Sequence, residues 1–267
     1  MKLTLDVENT GITRDGKLHI DPYDSSNQLV MVGTKTDKNE TRIFTFHHEQ
    51  VTDVDKPDDL QKLLDQATVL IGHNIAYDLT WLWECGFKYD GPVFDTMLAE
   101  YVLRRGIKSP LTLAACAEQY KLQTQKQTAL KEHLDSGGTV ANMDYDRLCS
   151  YLLDDLNATQ ELSNKLYIRL NSKEDSSLMN TVLLTNKVAV CLAKINKRGM
   201  KVDKEVLKQV RLEFETEQKK LLEEVYWQTK DLMGDVPINL SSPEQLSWVI
   251  YSRKPKDKNN WADKIKF

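Results

Sequence analysis

The sequence has few features that would cross-link the chain, bind zinc or cross a membrane. Its four cysteines are scattered singly among 267 residues, with no CxxC pair and no histidine at zinc-ligand spacing, which argues against a disulfide framework and a structural zinc site. No apolar run approaches the roughly 20 residues that a bilayer span needs. The N-terminus, MKLTLDVENT, lacks the apolar region and cleavage site of a signal peptide. We therefore expect a protein of the cytoplasm with no membrane partner.

The sequence also lacks the excess of basic residues that is typical of nucleic-acid-binding proteins. It has 36 Lys and Arg against 40 Asp and Glu, a net charge of −4. Phosphate binding normally leaves a basic footprint, but clustered carboxylates that hold metal ions lower the total charge while the ions invert the local field. The net charge therefore counts only mildly against a nucleic-acid partner.

Hydrophobic periodicity predicts strands first and helices afterwards. Apolar or alternating runs predict strands at residues 2–6, 29–35, 42–46 and 68–72. From Ala76 onward, apolar residues recur at three- and four-residue spacing, which predicts helices and, with the strands, a mixed α/β layer fold. The stretch SKEDSS, which ends at Ser177, has the composition of a linker, so we expect one domain at residues 1–172 and a helical extension at residues 178–267.

Two carboxylates stand at the end of the first predicted strand. Asp6 and Glu8 are two residues apart, so a strand places them on the same face. Like charges at close range resist joint ionisation, and a bound cation would relieve this. The alternative is an ordinary solvated strand end.

Two further motifs carry acidic residues on predicted helices. Asn74 and Asp78, in NIAYD, follow the apolar run TVLIG, at a strand end where open α/β sheets commonly place their sites. Tyr151 and Asp155 are four residues apart and share one face of a later helix. A helix N-cap with a first-turn acid explains the first motif equally well, and an amphipathic helix explains much of the second.

Taken in order, these motifs resemble those of the DEDD superfamily of 3′→5′ exonucleases. DxE, NxxxD and YxxxD match the subgroup whose last motif carries Tyr, because the His subgroup would need histidine at the position of Ser150. VFDTMLAEYVL from Val93, INKRGMKVD at residues 195–203 and PINLSSPEQLSWVIY at residues 237–251 resemble segments of family A DNA polymerases, with the closest likeness among bacteriophage enzymes. The resemblance implies a ribonuclease H-like mixed β-sheet flanked by helices, followed by a helical extension that resembles the start of a polymerase thumb.

The resemblance also implies the site residues. Two divalent metal ions, Mg²⁺ or Mn²⁺, would be held by four carboxylates, with Tyr151 orienting the nucleophilic water; the expected metal ligands are Asp6, Glu8, Asp78 and Asp155. Asn74 would contact the terminal nucleotide or cap its helix. Ile12 falls where related enzymes place an apolar wedge, and Thr10 is a further candidate because Asn9 stands where the family commonly has Thr.

The implied function is proofreading of DNA 3′ ends, single-stranded or mispaired. The sequence ends at Phe267, before a polymerase palm or fingers. We therefore expect a truncated polymerase or one half of a split polymerase with a separate polymerase chain as partner, in the host cytoplasm if a phage encodes it. The alternatives are an exoribonuclease similar to RNase D and a non-catalytic scaffold that retains the exonuclease fold.

Overall fold

The computed structural model describes residues 1–123, 129–233 and 237–251. Within them, seven strands and nine α-helices follow one another, with two short 3₁₀ helices at Val140–Asn142 and Ser176–Leu178. The strands are β1 (Lys2–Asn9), β2 (Ile12–Arg14), β3 (Lys17–His19), β4 (Leu29–Thr36), β5 (Thr41–Thr45), β6 (Val69–Gly72) and β7 (Val93–Asp95). The helices are α1 (Pro57–Gln66), α2 (Ile75–Glu84), α3 (Thr96–Leu103), α4 (Leu113–Tyr120), α5 (Ala129–Asp135), α6 (Tyr145–Leu170), α7 (Met179–Arg198), α8 (Lys204–Met233) and α9 (Pro243–Tyr251).

The main sheet has five strands in the order β5-β4-β1-β6-β7. β1 pairs with β4 and β4 with β5 in antiparallel fashion, whereas β6 is parallel to β1 and β7 is parallel to β6. The predicted mixed α/β fold and its four predicted strands are confirmed. The short strand β7 and the separate β2–β3 hairpin were not predicted, because three-residue strands carry too little periodicity to detect.

Helices cover both faces of this sheet. Alternation along β1 directs Leu3, Leu5 and Val7 into a core shared with α1 and α2. The other face carries Gly33, which is paired with Asp6 across β1 and β4. A Cβ at Gly33 would lie 2.7 Å from Leu156 Cδ1 of α6. The absence of a side chain at this position therefore lets α6 lie close to the face of β1 that carries Asp6.

The chain divides into two compact units, residues 1–199 and residues 200–267, rather than at the predicted linker. Helix α7 belongs to the first unit because Val182 is fully buried and Asn186 Nδ2 donates to the backbone oxygen of Val93 at 3.1 Å. The stretch expected to be a linker is also fixed to the first unit. Asp175 is buried, and its carboxylate forms ion pairs with Arg105 at 2.8 Å and with Arg169 at 3.1 Å. One of its acidic residues thus forms ion pairs within the first unit.

The second unit contains α8 and α9, both predicted as helices. Ser242 Oγ accepts a hydrogen bond from the backbone nitrogen of Gln245 at 3.3 Å, which caps α9. Met233 and Trp248 are buried together in a small cluster. Residues 252–267 of the predicted extension lie outside the described residues.

One helical segment of the described residues is long and apolar enough to cross a membrane by length and composition alone. It spans residues 176–198, with a mean hydropathy of 1.3 over its 18-residue window, of which 17% is buried. This corrects the expectation that no apolar run comes near that length. A single helix of this kind is weak evidence for a membrane span, and its buried Val182 packs inside the first unit.

Candidate active site

Three elements bring the five predicted catalytic side chains to one pocket of about 870 Å³. β1 supplies Asp6 and Glu8, α2 supplies Asp78, and α6 supplies Tyr151 and Asp155. The pocket lies where β1 ends and where α2 begins after β6. Sequence motifs that are almost 150 residues apart thus meet at one edge of the sheet.

The two carboxylates of β1 lie on the face that α6 covers. Asp6 is opposite Gly33 in the β1–β4 ladder, and directly opposite residues share a face of the sheet. Glu8 follows two residues later on the same face and is buried. The strand continues to Asn9, so both acids lie within β1, and the register of its pairing with β4 shifts between Glu8 and Asn9. The alternative of a solvated strand end is not what the structure shows.

Asp78 is held against β1 by a backbone hydrogen bond. Its Oδ1 accepts from the backbone nitrogen of Val7 at 3.1 Å, and the side chain is buried. Burial, and next the negative charge of Asp6, raise the pKa of Asp78 well above its ordinary value. A buried carboxylate with a second one nearby favours the binding of either a proton or a cation.

Asp95 fixes the start of the helix that carries Asp78. Its carboxylate accepts hydrogen bonds from the backbone nitrogens of Asn74 at 3.1 Å, Ile75 at 3.0 Å, Met97 at 2.9 Å and Leu98 at 3.2 Å. One side chain therefore caps both α2 and α3. Burial raises the pKa of Asp95. This role of Asp95 was not predicted from the sequence, although an acid directly before a helix is a recognisable N-cap signal.

The four-residue spacing on α6 directs Tyr151 and Asp155 into the pocket, and both side chains are buried. Burial, and next the negative charges of Asp155 and Glu8, raise the pKa of Tyr151 above its ordinary value. The phenol is therefore neutral at physiological pH. It retains an O–H group that can donate a hydrogen bond in the pocket.

The three predicted substrate-binding residues do not line this pocket. Thr10 Oγ1 accepts a hydrogen bond from the backbone nitrogen of Gln28 at 2.7 Å. Ile12 is paired with His19 in the β2–β3 hairpin. Asn74 has a left-handed backbone with φ of 69°, and its side chain makes no capping hydrogen bond to α2, so the capping alternative is wrong.

Two further segments, neither of them predicted from the sequence, form walls of the pocket. The β2–β3 hairpin contributes Thr13 and Leu18, and Ile20 follows it. On the other side, Leu130 and Leu134 of α5 and the segment 137–140 line the pocket. The only advance signal of the hairpin was Asp15-Gly16, a dipeptide that favours tight hairpin turns.

The donor set of the pocket suits a hard divalent cation. Its four predicted ligands are all carboxylates, which Mg²⁺ and Mn²⁺ prefer. Among the described residues that line it there is no lysine or arginine. Nor do the described residues contain a ready-made group of three or more His, Cys, Asp or Glu placed to hold an ion. The side chains of the pocket therefore have the chemistry of ligands for such an ion.

Together, the mixed sheet and the acidic pocket define the nuclease class with a ribonuclease H-like fold. A family model described as 3′-5′ exonuclease, for the exonuclease domain of A-type DNA polymerases, matches residues 18–171, more than half of the chain. The chain belongs to this family. The matched range includes Asp78, Tyr151 and Asp155, whereas Asp6 and Glu8 precede it.

Curated relatives agree with this family. The chain is 27% identical over 192 residues to DNA polymerase I of Borreliella burgdorferi, and 27% identical over 171 residues to DNA polymerase I of Bacillus subtilis. These alignments cover 72% and 64% of this chain but 20% and 18% of the relatives, so the chain spans about a fifth of their length.

The structural likenesses concern the fold alone. NrnC of Brucella melitensis with bound Mg²⁺ has a TM-score of 0.53 and 18% identity, over 74% of this chain and 86% of that chain. The POL domain of Pol1 from M. smegmatis, in complex with DNA primer-template and dNTP, has a TM-score of 0.61 and 19% identity. That likeness covers 95% of this chain and 38% of the other, so it includes the helical extension as well.

Proposed function

We propose that this chain is a metal-dependent exonuclease that hydrolyses DNA from the 3′ end and proofreads for an A-type DNA polymerase. The observation that carries the proposal is the single pocket that collects Asp6, Glu8, Asp78, Tyr151 and Asp155. Membership of the 3′-5′ exonuclease family supplies the reaction class. A scaffold without activity would have no need of this complete set of carboxylates.

The residues of the pocket have distinct roles in the proposed reaction. Asp6, Glu8, Asp78 and Asp155 would hold two divalent ions, Mg²⁺ or Mn²⁺. When bound, such ions activate water and stabilise the charge on the leaving 3′ oxygen of an in-line displacement. The hydrogen bond from Val7 fixes the carboxylate of Asp78. The neutral phenol of Tyr151 can donate a hydrogen bond that orients the attacking water.

DNA is the substrate that the relatives favour, because both curated relatives named above are DNA polymerases. The likeness to the Pol1 structure over 95% of this chain supports a polymerase as partner, either fused to the chain or separate from it. The second candidate is an exoribonuclease similar to RNase D. The observation that favours this candidate is the likeness of fold to NrnC bound to pGG, with a TM-score of 0.54.

The substrate can be determined with 5′-labelled DNA and RNA strands of one sequence. We expect the DNA strand to be shortened from its 3′ end faster than the RNA strand in Mg²⁺, with no shortening in EDTA. A mispaired primer terminus should be removed faster than a paired one. Faster shortening of RNA would instead favour the exoribonuclease, and a folded protein that leaves both strands intact would favour the scaffold.

A further inference from the structure

The outer face of α7, the last helix of the first unit, is apolar. The buried side of this helix carries Val182, Asn186 and Ala193. Leu184 is nine residues, or about two and a half turns, before Ala193 and therefore lies on the opposite side of the helix. Ile195 is related to Asn186 in the same way, and Leu184 and Ile195 are 62% and 58% exposed. We call this outer face the α7 stripe, which consists of Leu184, Val188, Leu192 and Ile195.

The charged residues of α7 are all basic. They are Lys187, Lys194, Lys197 and Arg198. Lys197 pairs with Glu84 of α2 at 2.6 Å. The other three are spaced by seven and by four residues, which is close to two turns and to one turn, so they follow one side of the α7 stripe. We call these three the basic flank. An apolar surface with a basic border is complementary to a partner surface with an acidic border.

Helix α8 of the second unit has such a surface. Every residue from 204 to 224 is exposed, and apolar side chains recur along one side of the helix. We call them the α8 stripe, which consists of Leu207, Val210, Phe214, Leu221 and Val225. The last three of these residues line, together with Leu240, a groove of about 610 Å³. The α8 stripe thus offers a concave apolar surface against which the side chains of another helix can pack.

The acidic residues beside the α8 stripe have the spacing of the basic flank in reverse order. Glu213, Glu217 and Glu224 are spaced by four and by seven residues, so they follow one side of the stripe, and we call them the acidic flank. Viewed from the N-terminus of each helix, each flank lies on the same side of its stripe, so the two flanks meet when the helices pack antiparallel. The pairs that come opposite each other are then Lys187–Glu224, Lys194–Glu217 and Arg198–Glu213.

Other pairings of these surfaces between two copies of the chain are less favourable. Two α7 stripes packed antiparallel would bring the two basic flanks together, and two α8 stripes would bring the two acidic flanks together. The area also favours a dimer with two contacts. The 20 residues of α7 form a cylinder about 30 Å long and about 10 Å wide, so one contact covers about 300 Å² of each helix. Two contacts bury about 1,200 Å² in all, which is the lower end of stable interfaces, and one contact buries about half of this.

We propose that two copies of this chain form a dimer in which the α7 stripe of each copy packs antiparallel against the α8 stripe of the other. The basic flank of one copy lies beside the acidic flank of its partner in both contacts. The two contacts are equivalent by two-fold symmetry, so the assembly closes as a dimer. The proposal is independent of the proposed exonuclease function, because neither stripe contributes to the carboxylate pocket.

Sedimentation equilibrium of the full chain, without metal or substrate, tests the dimer. One copy has a mass of 30.7 kDa. We expect the wild type to approach twice this mass as its concentration rises through the micromolar range, since an interface of this size dissociates on dilution. This measurement needs no variant. A wild type that keeps the mass of one copy up to millimolar concentration would overturn the dimer.

Two charge-reversed variants test which surfaces meet. The α7 variant carries Lys187→Glu and Arg198→Glu, and the α8 variant carries Glu213→Lys and Glu224→Lys. Lys194 is left unchanged because it also pairs with Asp90 at 2.7 Å. In each variant alone, four ion pairs of the dimer become like-charge pairs, so the dissociation constant should rise about tenfold or more.

An equal mixture of the two variants should associate again with nearly the wild-type dissociation constant. In the mixed dimer, the acidic α7 of one variant meets the basic α8 of the other, and the two unchanged helices meet in the second contact. The matched control carries Glu205→Lys and Glu223→Lys, which make the same change of charge on α8. Both positions are nine residues from Phe214, on the opposite side of the helix, so this control should associate as the wild type does.

A mixture that stays dissociated would overturn the pairing of α7 with α8, and so would a control that loses as much affinity as the α8 variant. Circular dichroism of each variant shows whether it is folded, and the wild-type measurement decides the existence of the dimer if one is not. A monomer that binds vesicles of anionic lipid through α7 would show that a membrane covers the stripe and would overturn the dimer. A protein that dimerises but cleaves no DNA would overturn the exonuclease function and leave the dimer intact.

Discussion

The substitution Asp95→Ala tests how the fold positions the active site. Asp95 is 1% exposed, and its carboxylate accepts four backbone N–H groups, two at the start of α2 and two at the start of α3. α2 carries Asp78. Removal of the carboxylate should therefore destabilise both helix ends and shift an active-site ligand without touching the pocket itself.

The size of the effect follows from the four bonds, which are between 2.9 and 3.2 Å long. Loss of one N-cap costs about 0.5–2 kcal/mol, and here two caps are lost together. The stability lost with the two caps is offset in part because the ionised carboxylate is costly to bury, as its raised pKa indicates. We expect a net loss of about 2 kcal/mol, which is roughly 4–8 °C in melting temperature for a unit of this size.

Thermal and urea unfolding, followed by circular dichroism, measure this loss. The matched control is Thr112→Ala, because Thr112 caps α4 with a single bond to Ala115 N at 3.2 Å and is exposed. It should cost about 1 kcal/mol and leave activity unchanged, whereas Asp95→Ala should also lower kcat. If both variants melt at the same temperature, the account of Asp95 as a double cap is refuted.

Three further substitutions probe the pocket and its support. Asp78→Asn should abolish cleavage yet raise the metal-free melting temperature at pH 7, because an amide keeps the bond from Val7 without the buried charge. The raised pKa of Asp78 means that the folded state holds a proton that the unfolded chain releases, so Asp78 lowers the metal-free stability as pH rises above about 4. The difference in melting temperature between wild type and variant in EDTA should therefore grow from pH 4 to 8. A difference that stays constant over this range would contradict the expectation. Tyr151→Phe should lower kcat on the order of 100-fold with little change in KM or melting temperature, and a near-normal kcat would exclude its proposed role. Gly33→Ala should cost about 1–3 kcal/mol in urea unfolding by overpacking, since its Cβ would lie 2.7 Å from Leu156 Cδ1, and an unchanged midpoint would show that α6 is not so closely packed.

The strands and the pairs of catalytic residues could be predicted from the sequence because each follows from the short-range periodicity of a strand or a helix. Asp6 and Glu8 share a face because a strand repeats every two residues, and Tyr151 and Asp155 share one because four residues make about one helical turn. All of these side chains line the pocket. The prediction that these side chains share one site required the resemblance to a known family, because periodicity does not indicate which elements are neighbours.

The remaining features depend on contacts between distant residues. Ile12 lies away from the pocket because the register of a three-residue hairpin decides which side chains face it, and a shift by one residue reverses the face. The segment around Asp175 has a linker-like composition, but Arg105 and Arg169, from other parts of the chain, hold it in place. Asp95 caps a helix that begins 20 residues earlier, so only half of its role is visible in the local sequence.

The most direct test of the central claim is 3′-end shortening of a 5′-labelled DNA strand by the wild type and by Asp6→Ala, as a function of Mg²⁺ concentration. The account predicts a ladder that shortens from the 3′ end in the wild type, requires the metal, and disappears in Asp6→Ala, with similar melting curves for the two proteins in EDTA. Shortening by Asp6→Ala at the wild-type rate would contradict the assignment of the pocket.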